Sequence, residues 1–161
     1  MEHLNETQVY ISVRNYLLEN NWQVLGGQPP SGTDYLPVIE IRDPTHKGKG
    51  SKGSYKPDLI AWHEWNLVII ELKPLFSQSD REKINGVLSS PERTRSLWES
   101  LIQRNITIGK LGKISEVQSD SKLVGGLGYG GTKVEHPELW RFFVKDGNVE
   151  VDPGSFTVCV N

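Results

Sequence analysis

Apolar residues near the start of the chain recur at the spacing of one helical face, which predicts an amphipathic helix over residues 6–21. The apolar positions that follow this spacing are Val9, Val13, Tyr16 and Leu17. Asn5 stands where an N-cap is expected, and Gln8, three residues later, approximates a capping box. We therefore expect the helix to begin directly after Asn5.

The clearest strands are two apolar runs rich in β-branched and large side chains, DLIAW at 58–62 and LVIIELK at 67–73. Other short apolar runs are less distinct and predict strands or loops. They are residues 22–25, 35–43, 124–131, 139–144, 149–151 and 156–160. The Asp146-Gly147 pair between two of these runs is a hairpin signal.

Proline and serine positions divide the middle of the chain. Pro74 is expected to end the second clear strand, because proline cannot donate a hydrogen bond to a strand ladder. Ser79 and Glu82 form an S-x-x-E start to a helix or helix pair that runs to about Asn105. Pro91 lies where the first of these helices is expected to end. The pattern thus predicts that helices follow the strand pair directly.

The two clear strands can be aligned if the turn between them is centred on Glu64 and Trp65. Asp58 then faces Glu71 across the ladder, with the two Cβ atoms roughly 4.5–5.5 Å apart. Lys73, two residues beyond Glu71, lies on the same face. Three charged side chains are therefore expected to converge at the open end of the hairpin.

The composition is that of one ordinary globular domain. The chain has 161 residues, of which 36% are hydrophobic and 24% charged, so a single domain over residues 1–161 is expected. The start of the chain has no basic stretch before an apolar run, and no window approaches about eighteen apolar residues; we expect an intracellular, cytoplasmic protein. Cys159 is expected to be a small residue in a terminal strand.

Basic residues are concentrated in one segment. The net charge is −2, so any contact with nucleic acid must be local. Segment 46–56, HKGKGSKGSYK, contains four lysines and no acidic residue. These lysines are Lys47, Lys49, Lys52 and Lys56. Because the segment leads directly into Pro57, we expect it to bind DNA phosphates next to Asp58; the alternative is a solvated loop.

A pair of facing carboxylates requires a compensating charge. Like charges that oppose each other across a ladder are destabilising, and more so where the local dielectric constant is low. Carboxylate oxygens suit Mg²⁺, and Mn²⁺ is expected to substitute for it. Such a metal can generate an attacking hydroxide and neutralise charge on a phosphodiester. Lys73 would orient the water, help to deprotonate it, or stabilise the charge of the transition state.

The segments KPDLIAW and VIIELKP resemble the motifs of the PD-(D/E)XK nuclease superfamily, which includes restriction enzymes, junction resolvases and phage exonucleases. Pro57-Asp58 matches the PD motif and Glu71-Leu72-Lys73 matches the E-x-K motif, within residues 55–74. The resemblance implies a restriction-endonuclease-like α/β fold, with a mixed central β-sheet flanked by helices. It also implies phosphodiester hydrolysis that leaves a 5′-phosphate, and the backbone carbonyl of Leu72 as a metal ligand beside the two carboxylates.

Many members of this superfamily use a further acidic residue from the first helix, and Glu6 is the best match in this chain. The helix dipole alone would also favour an acid in the first helical turn. Glu19 and Glu40 are weaker candidates.

Other polar residues carry weaker signals. Ser77 and Asp80 are placed either to lie beside the metal or to cap a helix. His46 and His63 are lone histidines, which are more often surface residues than catalytic bases. The glycines of 125–131 resemble a nucleotide-binding loop only superficially, because no strand followed by a capped helix surrounds them. A mobile loop or a bulged strand is the expected structure.

These observations together predict a magnesium-dependent deoxyribonuclease, an endonuclease that acts in restriction, repair, recombination or a mobile element. A small nuclease that cuts both strands commonly does so as a two-fold dimer, so a homodimer is one expectation. The first alternative is a catalytically silent DNA-binding or assembly module with the same fold. The second is a surface hairpin whose Asp58, Glu71 and Lys73 make an ordinary salt bridge.

Overall fold

The computed structural model describes residues 4–43 and 54–159, which include a seven-stranded sheet with helices on both faces. The helices are α1 (Glu6–Glu19), α2 (Gln78–Leu88), α3 (Pro91–Gln103) and α4 (Ile114–Val117), followed by a 3-10 turn at Gln118–Asp120. The strands are β1 (Gln23–Gly27), β2 (Ile41–Arg42), β3 (Ser54–Tyr55), β4 (Leu59–His63), β5 (Asn66–Leu75), β6 (Thr107–Ile108), β7 (Gly112–Lys113), β8 (Lys122–Gly130), β9 (Trp140–Lys145), β10 (Asn148–Asp152) and β11 (Val158–Cys159). None of the described helices is both long and apolar enough to cross a membrane.

The main sheet contains both parallel and antiparallel pairs. Its strand order is β1-β4-β5-β8-β9-β10, and β11 pairs with β8 at the end that β9 does not reach. Strand β8 runs parallel to β5 and β9, whereas the other pairs of the sheet are antiparallel. The short strands β2 and β3, like β6 and β7, form separate two-stranded pairs. The predicted α/β class, with a mixed central sheet flanked by helices, is therefore confirmed.

Helix α1 covers one face of the sheet. It begins where the sequence predicts, because the Asn5 side chain accepts a hydrogen bond from the Gln8 N–H and the Gln8 side chain accepts one from the Asn5 N–H. Its buried residues pack against alternate residues of β4 and β5. The residues in this contact layer are Val9, Tyr10, Val13, Leu17, Leu59, Ala61, Val68, Ile70 and Leu72. This packing fixes which face of each strand the remaining residues occupy.

Helices α2 and α3 cover the opposite face. Ile60 of β4 and Ile69 of β5 belong to the core on this side. Because successive strand residues point to opposite faces, Glu71 and Lys73 continue the series that begins with Ile69. The end of β5 therefore presents these two charged side chains towards α2.

The predicted register of the β4–β5 hairpin is confirmed. Leu59 pairs with Ile70, as the alignment requires, and this is the last ladder pair before the open end. Glu64 and Trp65 have φ angles of 49° and 66°, and a two-residue type I′ turn requires positive φ at both central positions. Asp58 lies one residue beyond the last ladder pair.

Strand β5 continues through Pro74 to Leu75, so the prediction that Pro74 ends the strand is wrong. Strand β4 offers no partner at this level because it begins at Leu59. On the β8 side the register shifts between Leu72 and Leu75, and the ladder pairs skip Pro74. The missing N–H of proline therefore breaks no ladder bond.

Helix α2 begins earlier than the sequence indicated. Its N-cap is Ser77 rather than Ser79, because the Ser77 hydroxyl accepts a hydrogen bond from the Asp80 N–H at 3.2 Å. Asp80 therefore lies in the first turn, where it is 3% exposed. Pro91 is the first residue of α3, so the break predicted near this proline is confirmed.

The glycine-rich segment 124–131 forms most of β8, a buried strand inside the sheet rather than a loop. A Cβ atom added at Gly125 would lie 2.3 Å from Cγ2 of Ile84 on α2. Glycine at this position therefore lets α2 pack close to the sheet. This close packing places Asp80 and Lys83 of α2 beside the end of β5.

Candidate active site at the open end of the hairpin

Beyond the last ladder pair of β4 and β5, the Asp58 carboxylate accepts the backbone hydrogen bond that a further residue of β4 would otherwise accept from β5. Its Oδ2 accepts a hydrogen bond from the backbone N–H of Leu72 at 2.8 Å. In an antiparallel pair, the N–H and C=O of one residue face the same neighbouring strand, so the Leu72 carbonyl is expected to face this same open edge. Asp58 and Leu72 thus supply oxygen atoms to one end of the hairpin.

Glu71 lies next to Asp58 and is only 4% exposed. Burial raises the pKa of Glu71 to about 9, and the hydrogen bond and negative charge of Asp58 contribute to the rise. The structure therefore brings together the two carboxyl groups that the sequence alignment placed opposite each other. In the metal-free protein, Glu71 holds its proton at neutral pH.

Lys73 reaches the carboxyl group of Asp80 rather than the Asp58–Glu71 pair directly. The distance between Lys73 Nζ and Asp80 Oδ2 is 3.4 Å. Burial alone would lower the pKa of Lys73, but the negative charge of Asp80 and, more weakly, of other nearby carboxylates raises it. Lys73 is therefore a cation that a buried acid on α2 holds in position.

A second lysine approaches the carboxylates from α2. Lys83 Nζ lies 3.9 Å from Oε1 of Glu71 and 3.7 Å from Oδ1 of Asp80. The Lys83 side chain is 46% exposed, so water screens part of these attractions. Lys83 thus shares with Lys73 the task of offsetting the negative charge of the site.

Tyr55 lies between Lys83 and Glu71. The Lys83 ammonium is 5.2 Å from the centroid of the Tyr55 ring, within the range of a cation–π contact. Burial, and next the negative charge of Glu71, raise the pKa of the Tyr55 hydroxyl. Its oxygen is shielded from solvent. Tyr55 is thus a buried hydroxyl next to a metal-ligand candidate.

Glu6 lies at the edge of the same region. It is exposed on α1 and, together with Asp58 and Leu72, lines a cleft of about 100 Å³. It is also one of the carboxylates whose charge acts on Lys73. Glu19, the weaker candidate, is the last residue of α1, at the helix end away from this cleft.

Most of the predicted DNA-binding segment lies outside the described residues. The residues concerned are His46, Lys47, Lys49 and Lys52. Lys56 is described: it is exposed and lines a groove together with Lys83 and Arg93. One of the four predicted phosphate-binding lysines therefore lines the same groove as Lys83, which contacts Glu71.

The remaining weak candidates have other surroundings. Ser77 caps α2, as its alternative interpretation held. His63 stacks on Trp22 at a centroid distance of 4.8 Å, at the turn end of the hairpin. Glu40 lies 3.6 Å from Arg42, in an exposed ion pair. No described contact joins any of these three candidates to Asp58 or Glu71.

Lys83 and Tyr55 also lie at this site, although no motif in the sequence pointed to them. Lys83 is three residues from Asp80 and precedes Ile84, and both of these belong to the buried face of α2, so helical spacing could have placed Lys83 near the sheet. No comparable signal marks Tyr55, because its position depends on the pairing of β3 with β2.

The residues at the open end fit a magnesium ion as donors. Within residues 4–43 and 54–159, no three His, Cys, Asp or Glu side chains form a ready-made metal cage. The available donors are two carboxylates and one main-chain carbonyl, which leave part of an octahedral shell open. Magnesium tolerates this, because it usually keeps several waters and takes only one or two carboxylates from the protein.

Comparisons with protein-family models, with curated proteins and with solved structures found no match to this chain. The resemblance in residues 55–74 and the geometry of the open end of the hairpin therefore carry the functional argument together.

Proposed function

We propose that this chain is a magnesium-dependent deoxyribonuclease that hydrolyses phosphodiester bonds within DNA strands. The observation that carries the proposal is the pair of adjacent carboxyl groups of Asp58 and Glu71 at the open end of a hairpin, where Glu71 is buried and Lys83 lies 3.9 Å from it. A pair of adjacent carboxyl groups in a half-buried position is costly for stability unless a cation or a proton compensates it. A divalent cation bound between the two carboxyl groups would supply this compensation and would also attract a phosphate group.

Each residue of the site has a distinct task in this proposal. A bound magnesium ion would supply Lewis-acid stabilisation and an activated water. Asp58 would bind it through a carboxylate that the Leu72 N–H holds in position, and Glu71 would bind after it releases its proton. Lys73, which the nearby acids keep protonated, would stabilise negative charge on the phosphate. Its raised pKa favours this role over that of a general base.

One observation favours the rival assignment of a catalytically silent module. Lys83 lies within 4 Å of both Glu71 and Asp80, and it partly neutralises these acids without any metal. An ion-pair cluster of this kind could serve only to join α2 to the sheet. The two assignments differ in whether the chain cleaves DNA with magnesium or not at all.

A plasmid-cleavage assay decides between the two assignments. Supercoiled circular DNA is incubated with the protein and magnesium, or with chelator, and nicked and linear products are measured. Asp58→Asn and Glu71→Gln should lower the cleavage rate by at least about 100-fold, the scale of losing an electrostatic contact to the transition state. Glu64→Gln, at the exposed turn of the same hairpin, makes the same charge change and should cut like the wild type. Cleavage that survives chelation or both site substitutions would reject the proposal.

A further inference from the structure

A groove of about 440 Å³ lies directly beside the carboxylate pair. Its described lining includes Tyr55 and the three cations Lys56, Lys83 and Arg93, and none of the described lining residues is acidic. The groove is therefore a basic recess in a chain whose net charge is −2.

The three cations differ in how strongly the protein already engages them. Arg93 lies 2.7 Å from Asp43, in a close ion pair. The distances from Lys83 Nζ to the carboxylate oxygens of Glu71 and Asp80 are longer, at 3.9 and 3.7 Å. Lys56 is exposed and makes no ion pair with a described carboxylate. Lys56 and Lys83 are therefore the two cations best able to accept an anion in this groove.

Lys83 connects the groove to the candidate active site. Its ammonium group is 3.9 Å from Glu71 and also lines the groove, so an anion held there would lie next to the carboxylate pair. Tyr55 lines the same groove, and the centroid of its ring lies 5.2 Å from the Lys83 ammonium. An anion bound between the two lysines would bring acceptor oxygens to Lys56, which has no ion pair with a described carboxylate, and to Lys83, whose ion pairs are long.

We propose that this groove binds a backbone phosphate of the nucleic-acid strand, next to the phosphodiester that lies at Asp58 and Glu71. The proposal rests on the proposed nuclease function and identifies how the substrate strand is held. Lys56 and Lys83 contact the phosphate oxygens, and neither reads a base. The groove therefore positions the strand without selecting its sequence.

The test measures DNA binding and not cleavage. Fluorescence anisotropy of a labelled DNA duplex is recorded at several salt concentrations in chelator, with the whole chain as wild type, Lys56→Gln and Lys83→Gln. The matched control is Lys122→Gln, because Lys122 is an exposed lysine at the start of β8, beside Asn66 at the opposite end of the sheet. Each groove variant should lower the affinity about fivefold or more and reduce the slope of log affinity against log salt by about 0.9, the value for one lost phosphate contact. The control should match the wild type.

Two further measurements identify the kind of phosphate that the groove binds and check that the variants are folded. Inorganic phosphate and a short single-stranded oligonucleotide are compared as competitors. Displacement by the oligonucleotide at far lower phosphate concentration supports a strand-binding groove, and equal displacement by both overturns it in favour of a free-phosphate site. Thermal melts show whether Lys83→Gln still folds, because Lys83 contacts the buried acids Glu71 and Asp80. Lys56 has no ion pair with a described carboxylate, so Lys56→Gln still tests the groove if Lys83→Gln unfolds.

The failure of this proposal can be told apart from failure of the nuclease function. If the wild type cuts plasmid DNA while both groove variants bind DNA with unchanged affinity and salt slope, the groove assignment is wrong and the function stands. If the wild type neither binds nor cuts DNA, the nuclease proposal fails and the groove assignment fails with it.

Discussion

Lys73 Nζ lies 3.4 Å from Oδ2 of Asp80, a carboxylate that is 3% exposed in the first turn of α2. This contact joins the end of β5, which carries the E-x-K motif, to a helix on one face of the sheet. Asp80 is not part of either motif, yet it is the main source of the charge that raises the pKa of Lys73. We therefore expect Asp80 to act as a positioning residue that holds the Lys73 ammonium in place and raises its pKa.

The pH profile of cleavage tests this role. The negative charge of Asp80 keeps Lys73 protonated to higher pH, so Asp80→Asn should lower the pKa of Lys73 and shift the alkaline loss of activity to lower pH. Rates are measured against pH for the wild type, Asp80→Asn and the exposed control Asp120→Asn. If Asp80→Asn lowers the cleavage rate at every pH but activity is lost at the same alkaline pH as in the wild type, Asp80 does not raise the pKa of Lys73.

Local sequence patterns were sufficient for the elements that carry the motifs. The apolar runs identify the two strands, and the two-residue turn at Glu64 and Trp65 fixes the hairpin register, because turn type and loop length set the pairing of a hairpin. The register in turn places Asp58 beside Glu71. The capping box at Asn5 fixed the start of α1 in the same local way.

Helical spacing can place Lys83 on the side of α2 that faces the sheet, but local patterns do not show that α2 and β3 reach the carboxylate pair. Lys83 reaches Glu71 because α2 packs close to the sheet, and this packing depends on the absence of a side chain at Gly125, far along the chain. The continuation of β5 through Pro74 likewise depends on a register shift against β8. Contacts between distant segments decided these features, and a single sequence does not show them.

Glu6 should contribute to cleavage if the cleft that it shares with Asp58 holds part of the metal shell. We predict that Glu6→Gln lowers the cleavage rate about tenfold, equal to about 1.4 kcal/mol in the activation free energy. Glu19→Gln, an exposed acid at the other end of the same helix, is the matched control. Steady-state rates of the two variants are compared at saturating magnesium. If Glu6→Gln and Glu19→Gln cleave DNA at equal rates, Glu6 stabilises the start of α1 and takes no part in the active site.

The stability of the metal-free protein should fall as the pH rises. The pKa of Glu71 is raised from 4.5 to about 9 in the folded state, chiefly by burial, so the folded state binds more protons than the unfolded state between these values. The stabilising contribution is complete below about pH 4.5 and is lost as the pH rises through about 9. Glu71→Gln should flatten this part of the curve, and the exposed control Glu99→Gln should leave it unchanged. Urea unfolding in chelator across this range measures the effect, and parallel curves for wild type and Glu71→Gln would contradict it.

The same proton affects how Asp58→Asn changes stability. At neutral pH, Glu71 holds a proton, so repulsion between the two acids is already relieved in the metal-free protein. The stability gained when Asp58 loses its charge should therefore be small near pH 7 and larger above about pH 9, where Glu71 ionises. Melting temperatures of wild type and Asp58→Asn in chelator, at pH 7 and at pH 9.5, measure the difference. A variant that melts lower than the wild type at both values would favour an ordinary salt bridge over a repulsive pair.

Magnesium should stabilise the wild type, and more strongly as the pH rises from 7 towards 9. A ligand that binds only the folded state stabilises it by about 2.7 kcal/mol at 100 times its dissociation constant. For a chain of this size, about 2–4 °C per kcal/mol gives a shift of about 5–10 °C. Because Glu71 must release its proton before it can bind the ion, the magnesium affinity should rise by up to about tenfold per pH unit below the pKa of about 9. Melts with magnesium and with chelator at each pH measure this rise. The shift should vanish in Asp58→Asn and in Glu71→Gln and persist in Glu64→Gln; an equal shift in all four proteins would place the bound ion elsewhere.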